Sequence, residues 1–149
     1  MAKTSFRCRV VTPTEKLLDA QATYASIPAW DGLMGVLPGR APIVAKLGLG
    51  ELIVEFPAEQ GAPGGRRGFF IDGGFLRMGA EELTIIAEDA VPAERLAATE
   101  AEAELKEAEA RQVPADAENR QAEADRITHD RNRARTKLRI AQSARAKGI

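Results

Sequence analysis

Few residues in this 149-residue chain belong to the types that carry out acid–base, nucleophilic or metal chemistry, and none stands in company. His129 is the single histidine, set among charged residues with no second ligand near it, so a solvent-facing side chain is the simpler reading. Cys8 is the single cysteine, which rules out an internal disulfide and a cysteine cluster for zinc. Its place in the alternating run FRCRVV fits a small buried hydrophobe on a strand. Asp72 would need a base or nucleophile beside it to act as a catalytic carboxylate; the Gly-Gly that follows points instead to a turn or bulge. Glu81 and Glu82 read as a polar hairpin turn. The glycine pairs at 48–50 and 73–74 lack the spacing and the Lys-Ser/Thr of a phosphate loop. The expectation is no catalytic residue, no metal site and no cofactor.

Basic residues are the exception to this sparseness. The formal net charge is only -1, which gives no global pull toward nucleic acid or an anionic membrane. Acidic residues nevertheless stop at Asp130, and Arg131, Arg133, Arg135, Lys137, Arg139, Arg145 and Lys147 follow with no acid between them. Cations complement a helix C-terminus, which accounts for part of the pattern. The rest is either a solvated basic face or a docking surface for an acidic partner. Positions Arg131, Arg135 and Arg139 fall on one helical face at four-residue steps, as one contact line would require. Nucleic-acid binding would need interleaved aromatics or a basic face elsewhere, and the sequence supplies neither.

Two kinds of element must carry these residues. Up to residue 91 the chain reads as β: Phe6, Cys8 and Val10 alternate with Arg7 and Arg9, and Leu52, Val54 and Phe56 alternate with Glu51 and Glu55. FFIDGGFLRM and LTIIAE supply further strands, and GAPGGRRG at 61–68 reads as a turn or loop. Short runs broken by Gly and Pro favour an antiparallel sandwich or flattened barrel. From residue 92 to 149 aromatics vanish and Ala, Glu and Arg take over. Residues 94–111 form a predicted helix with Leu96, Ala101, Leu105 and Ala108 on its stripe. VPAD at 113–116 breaks it, and Asp116 is the expected cap of a second helix over 117–146. The second stripe, Ile127, Ala134, Leu138 and Ala141, is mostly small, so the hairpin should be thinly glued. The fold class is therefore α+β. No apolar run approaches the roughly 20 residues that span a bilayer, and no signal-peptide core is present, so a soluble chain of a reducing compartment is expected.

One stretch fits neither element. DGLMGVLPGRAPIV, residues 31–44, packs three glycines and two prolines into fourteen residues, threaded with Leu, Met, Val and Ile. It is too apolar for a linker and too rich in Gly and Pro for a buried strand.

With GLMGVLPGRAPIVAKLGLGEL, FFIDGGFLRM and LTIIAEDAV in this order ahead of an Ala/Glu/Arg hairpin, the chain resembles the epsilon subunit of the F-type rotary ATP synthase over nearly its whole length. The resemblance implies an N-terminal antiparallel β-sandwich of about ten strands (residues 1–91) and a C-terminal two-helix hairpin (92–149). It implies a non-catalytic central-stalk subunit that turns with the rotor, binding the gamma subunit on one face and the c-ring at its base. Asp31, Gly32, Leu33 and Met34 would form the loop that meets the c-ring, and Arg40, Ala41 and Pro42 would lie on the gamma side. The helices would move between a folded-down state and an extended one that blocks ATP hydrolysis. In the extended state Arg131, Arg135 and Arg139 would face an acidic loop of the catalytic beta subunit.

Two departures qualify the likeness. Arg40 stands where relatives often carry His. The Leu/Ile-Asp-x-x-Arg-Ala motif of ATP-binding members is here Leu96-Ala97-Ala98-Thr99-Glu100-Ala101, so Ala97 and Glu100 replace its carboxylate and its cation. ATP binding is expected to be very weak or absent. The membrane would be met only through the complex, on the cytoplasmic side of a bacterial inner membrane or, alternatively, the stromal side of a thylakoid. Without the resemblance, a non-rotary adaptor built of the same two parts would be the competing reading, and a small hydrolase or isomerase a distant one.

Overall fold

A computed structural model describes residues 4–58 and 64–146. The chain falls into two compact units, divided between Ala93 and Glu94.

The first unit is all β. Its strands are β1 (Phe6–Val11), β2 (Lys16–Ala22), β3 (Tyr24–Ala29), β4 (Gly32–Val36), β5 (Ile43–Lys46), β6 (Leu49–Glu55), β7 (Arg66–Met78) and β8 (Glu82–Pro92). They run in the order β2-β1-β8-β7-β6-β3-β4, with β5 also on β7. The thirteen-residue β7 is two strands in one. Its first half pairs with β6 from Arg66 to Asp72, and its second half pairs with β5 from Phe75 to Met78. Strand β8 follows it across both halves, so these two hairpin strands pass from one layer of the sandwich to the other. Counting each twice gives the ten segments expected.

Gly73 and Gly74 make that passage possible. Both have positive φ, and a Cβ on Gly74 would lie 2.1 Å from the Ile86 carbonyl oxygen and 2.8 Å from Ala87 Cα. The register is the same on both sides, Asp72 opposite Asp89 and Gly74 opposite Ala87. Asp72 therefore precedes a bend without a register shift, where the sequence pointed to a turn or bulge.

Alternation decides what is buried. Phe6, Cys8 and Val10 of β1, Leu76 of β7 and Leu83 and Ile85 of β8 face Ile27, Val36, Leu52, Val54, Phe69 and Ile71 in one core. Each large side chain withdrawn there stabilises the unit by about 1.5–3 kcal/mol. Not every pairing is antiparallel: β1 lies parallel to β8, with Arg7 opposite Glu82 and Val11 opposite Ile86. Nothing local in the sequence marks a pairing between strands so far apart. Of the predicted loop 61–68, residues 61–63 lie outside the described residues and Arg66–Gly68 already belong to β7.

The second unit is a helical hairpin. A 3-10 turn at Ala93–Arg95 leads to α1 (Ala98–Ala110), which is shorter than the predicted 94–111. Helix α2 (Arg120–Ala146) starts later than expected because Asn119, not Asp116, caps it: Asn119 Oδ1 accepts the Ala122 N–H at 3.0 Å. Ala101, Ala108, Ile127, Ala134, Ile140 and Ala141 are buried. Ile140 was missing from the predicted stripe, while Leu138 and Leu105 are half-buried.

Candidate docking surfaces and the helical arm

The Gly/Pro-rich stretch resolves into hairpin, strand and turn. Trp30 and Asp31 form a two-residue turn, since Ala29 pairs directly with Gly32, whose φ is 131°. Gly32, Leu33 and Met34, expected as a loop, are the first residues of β4, an edge strand held by β3. Gly32 and Gly39 take positive φ with open space around them, whereas Gly35 and, further on, Gly48 sit where neighbours approach. Gly35 leaves room for the Tyr24 ring, and a Cβ on Gly48 would lie 2.8 Å from the Ala29 carbonyl oxygen. A second turn follows at Leu37–Arg40, where the Arg40 N–H donates to the Leu37 carbonyl at 3.3 Å. Pro38 fixes φ at its second position and Gly39 takes φ 83° at its third, as a type II turn requires. Arg40, Ala41 and Pro42 are exposed and lead into β5.

What this segment presents is apolar. Trp30 is 69% exposed, Leu33 74% and Leu37 61%, all within one hairpin and the turn beyond it. Trp30 directly precedes the Gly-rich run 31–44 and so falls outside the stretch that composition singles out. A large aromatic beside a tight turn, with no strand partner to cover it, was the available signal.

A second exposed apolar group lies on the outer face of β5, β7 and β8. Phe75 and Ile86 are directly opposite each other, and Lys46 is opposite Phe75 on its other side. Val44 joins them one step along β5, with Arg77 and Thr84 beside it. Val44, Phe75 and Ile86 are all at least half exposed. This patch begins at Val44, two residues after Pro42, so the predicted residues Arg40–Pro42 border it rather than make it up.

Next to the patch an ionic network covers β1 and β2. Arg7 holds Asp19 with two hydrogen bonds of 2.8 Å, while Arg9 and Lys16 approach the same carboxylate at 3.7 and 3.6 Å. Arg9 also reaches Glu82 at 3.2 Å. Hydrogen bonding from Arg7, then the charges of Arg7, Arg9 and Lys16, hold the Asp19 carboxyl down at about 2 against the cost of its desolvation. Burial pushes the Cys8 thiol up to about 12, so it is an inert core residue as expected.

In the hairpin, the predicted contact line is split. Arg131 donates from Nε to the Ala108 carbonyl (3.0 Å) and from one Nη to the carbonyls of Glu109 (3.2 Å) and Arg111 (3.1 Å). Arg135 approaches Glu109 at 3.7 Å, whereas Arg139 is exposed. Lys137 pairs with Glu104 at 3.3 Å and Arg111 with Asp130 at 2.6 Å. In this arrangement Arg135 stays exposed and reaches α1 by one loose ion pair, while Arg131 is turned onto the end of α1. The reason is that α1 has no basic residue in its last turn to meet its final carbonyls. Ala97 and Glu100 sit at the N-cap and in the first turn of α1; Ala97 offers no side-chain cap, and Glu100 complements the helix dipole.

Among the described residues no three His, Cys, Asp or Glu side chains gather as a metal site, and no helix is long and apolar enough to cross a membrane.

The pattern of the ATP synthase delta/epsilon chain β-sandwich domain matches residues 5–93. The chain belongs to the ATP synthase delta/epsilon family. An ATP synthase epsilon chain from Rhodopirellula baltica is 33% identical over 138 residues, covering 93% of this chain and 99% of that one. A sodium-ion-specific ATP synthase epsilon chain from Propionigenium modestum is 30% identical over 93% of this chain and 94% of its own length. A chain in the Euglena gracilis mitochondrial ATP synthase shares the fold with a TM-score of 0.66 at 23% identity, covering 100% of this chain and 84% of that one. Membership makes this chain a stalk subunit of an F-type ATP synthase, a membrane-associated enzyme complex.

Proposed function

We propose that this chain is a non-catalytic rotor subunit that links the gamma subunit to the c-ring, with a helical arm that restrains ATP hydrolysis. The observation that carries the reading is the pair of bare apolar groups on a family-matched sandwich. An isolated subunit gains nothing by exposing Trp30, Leu33, Val44, Phe75 and Ile86; a subunit with two docking partners does. The tip formed by Trp30, Asp31, Gly32, Leu33 and Met34 is assigned to the polar loops of the c-ring. The patch of Val44, Phe75 and Ile86, bordered by Arg40, Ala41 and Pro42, is assigned to gamma. Arg131, Arg135 and Arg139 are assigned to the catalytic alpha/beta head in the extended state of the arm. The site of action is the cytoplasmic face of a bacterial inner membrane, reached through the complex. Loss of the carboxylate and cation at Ala97 and Glu100 argues against ATP binding by the arm.

The test is co-purification with gamma. Phe75→Glu combined with Ile86→Glu places two charges where an apolar partner surface must close, and should abolish binding to gamma while the sandwich melts as before. Retention of gamma at wild-type stoichiometry would overturn the assignment. Cutting the chain after Val113 tests the arm separately: the assembled complex should then hydrolyse ATP several-fold faster.

A further inference from the structure

Helix α1 cannot finish itself. Its own backbone offers the last turn one long closing bond, from the Arg111 N–H to the Ala108 carbonyl (3.3 Å), its last turn holds no basic residue, and its C-cap, Arg111, is extended (φ -70°, ψ 141°) instead of adopting the left-handed turn that usually closes a helix. One guanidinium from the other helix supplies what is missing. Arg131 meets the carbonyls of Ala108, Glu109 and Arg111, all within 3.2 Å. Its neighbour Asp130 grips the Arg111 side chain from the same turn of α2. Two further ion pairs across the hairpin, Lys137 to Glu104 at 3.3 Å and Arg135 to Glu109 at 3.7 Å, are exposed on at least one side, and such pairs contribute little in water. Hydrogen bonds to a charged donor are stronger, and a planar fork reaching three carbonyls is something lysine cannot reproduce.

We propose that Arg131 is the latch of the arm: it holds α2 folded against α1 by completing the end of α1, and it must surrender those carbonyls before it can meet any acidic partner. The inference rests on the arm being movable, as proposed above. It adds that the docking residue and the restraining residue are the same side chain, so release and engagement exclude each other. Arg139, exposed at the far end of the same line, is free of this constraint.

The experiment uses the full chain on its own, outside any complex. Arg131→Met keeps the alkyl stem and removes the fork; Arg131→Lys keeps the charge; Arg139→Met is the comparison. Spin labels at the exposed positions Glu102 and Gln142 report the separation of the helices, and amide exchange reports the last turn of α1. Arg131→Met should raise exchange at Glu107–Arg111 roughly tenfold and add a population of longer inter-label distances, with Arg131→Lys between it and wild type. Arg139→Met should change neither. Unchanged exchange would overturn the cap, and raised exchange with an unchanged distance distribution would overturn the latch. Failure to bind gamma would count against the rotor reading and leave this result standing.

Discussion

Asp19 shows how much a single surface residue can organise. Three cations, Arg7, Arg9 and Lys16, converge on its carboxylate, and Glu82 draws Arg9 from the other side. The folded chain therefore keeps this carboxyl ionised down to about 2, below its ordinary value of about 3.9. A carboxyl depressed on folding stabilises the fold at pH above its unfolded value and loses that contribution as pH falls through its folded one. Acid should thus weaken the sandwich progressively between about pH 4 and pH 2. Asp19→Asn should flatten this part of the stability profile, measured by urea unfolding at pH 5, 4, 3 and 2. Parallel profiles for variant and wild type would show that the network is electrostatically idle. The neighbouring Cys8 thiol stays neutral throughout, pushed up by burial first and by the Asp19 charge second.

At the scale of elements, strand and helix were legible wherever one face alone is buried. The alternation in β1 and β6 and the composition break near residue 92 each have a local cause, so β1, β6, β7, β8 and the hairpin could be read directly. Strands β2 to β5 were less legible. Pro28 inside β3 and three glycines around β4 mask the period: Gly32 and Gly39 turn the backbone and Gly35 clears the Tyr24 ring, a placement set by pairings that the sequence does not reveal. The parallel β1–β8 pairing and the Arg131 cap are long-range for the same reason. Of the candidate site, the turn at Pro38–Gly39 could be read from turn chemistry. The apolar patch of Val44, Phe75 and Ile86 could not, because alternation identifies a strand's inward face and is silent on what its outward face meets. Packing also sets the order of opening. The sandwich core holds Phe6, Phe69, Leu52 and Ile85, whereas the hairpin is joined largely through alanines. Native-state hydrogen exchange should therefore show the amides of α1 and α2 opening at lower denaturant than those of β7 and β8. Simultaneous opening would mean that the hairpin is tied down more strongly than its own contacts imply.

For the molecule as a whole, the large side chains are concentrated in the sandwich and the small ones in the hairpin, a division that suits the proposed rotor subunit with a movable arm. Torque can pass only through a foot that does not bend, and the Trp30–Asp31 turn is as short as a hairpin permits. It is braced by hydrogen bonds from the Trp30 N–H to the Lys46 carbonyl (3.0 Å) and from the Gly48 N–H to the Pro28 carbonyl (2.9 Å). Under the proposed c-ring assignment, Trp30 and Leu33, at 69% and 74% exposure, are the side chains that the partner would cover. Burying each would contribute about 1.5–3 kcal/mol, so removing both should weaken the contact by well over tenfold. Neither is part of the sandwich core, so Trp30→Ala with Leu33→Ala should leave the melting temperature and gamma binding unchanged. In membrane vesicles carrying the reassembled complex, ATP hydrolysis should persist while ATP-driven ion pumping falls. Pumping at the wild-type rate would mean that the tip is not the c-ring contact. Loss of gamma together with pumping, at an unchanged melting temperature, would mean that the two docking surfaces are one.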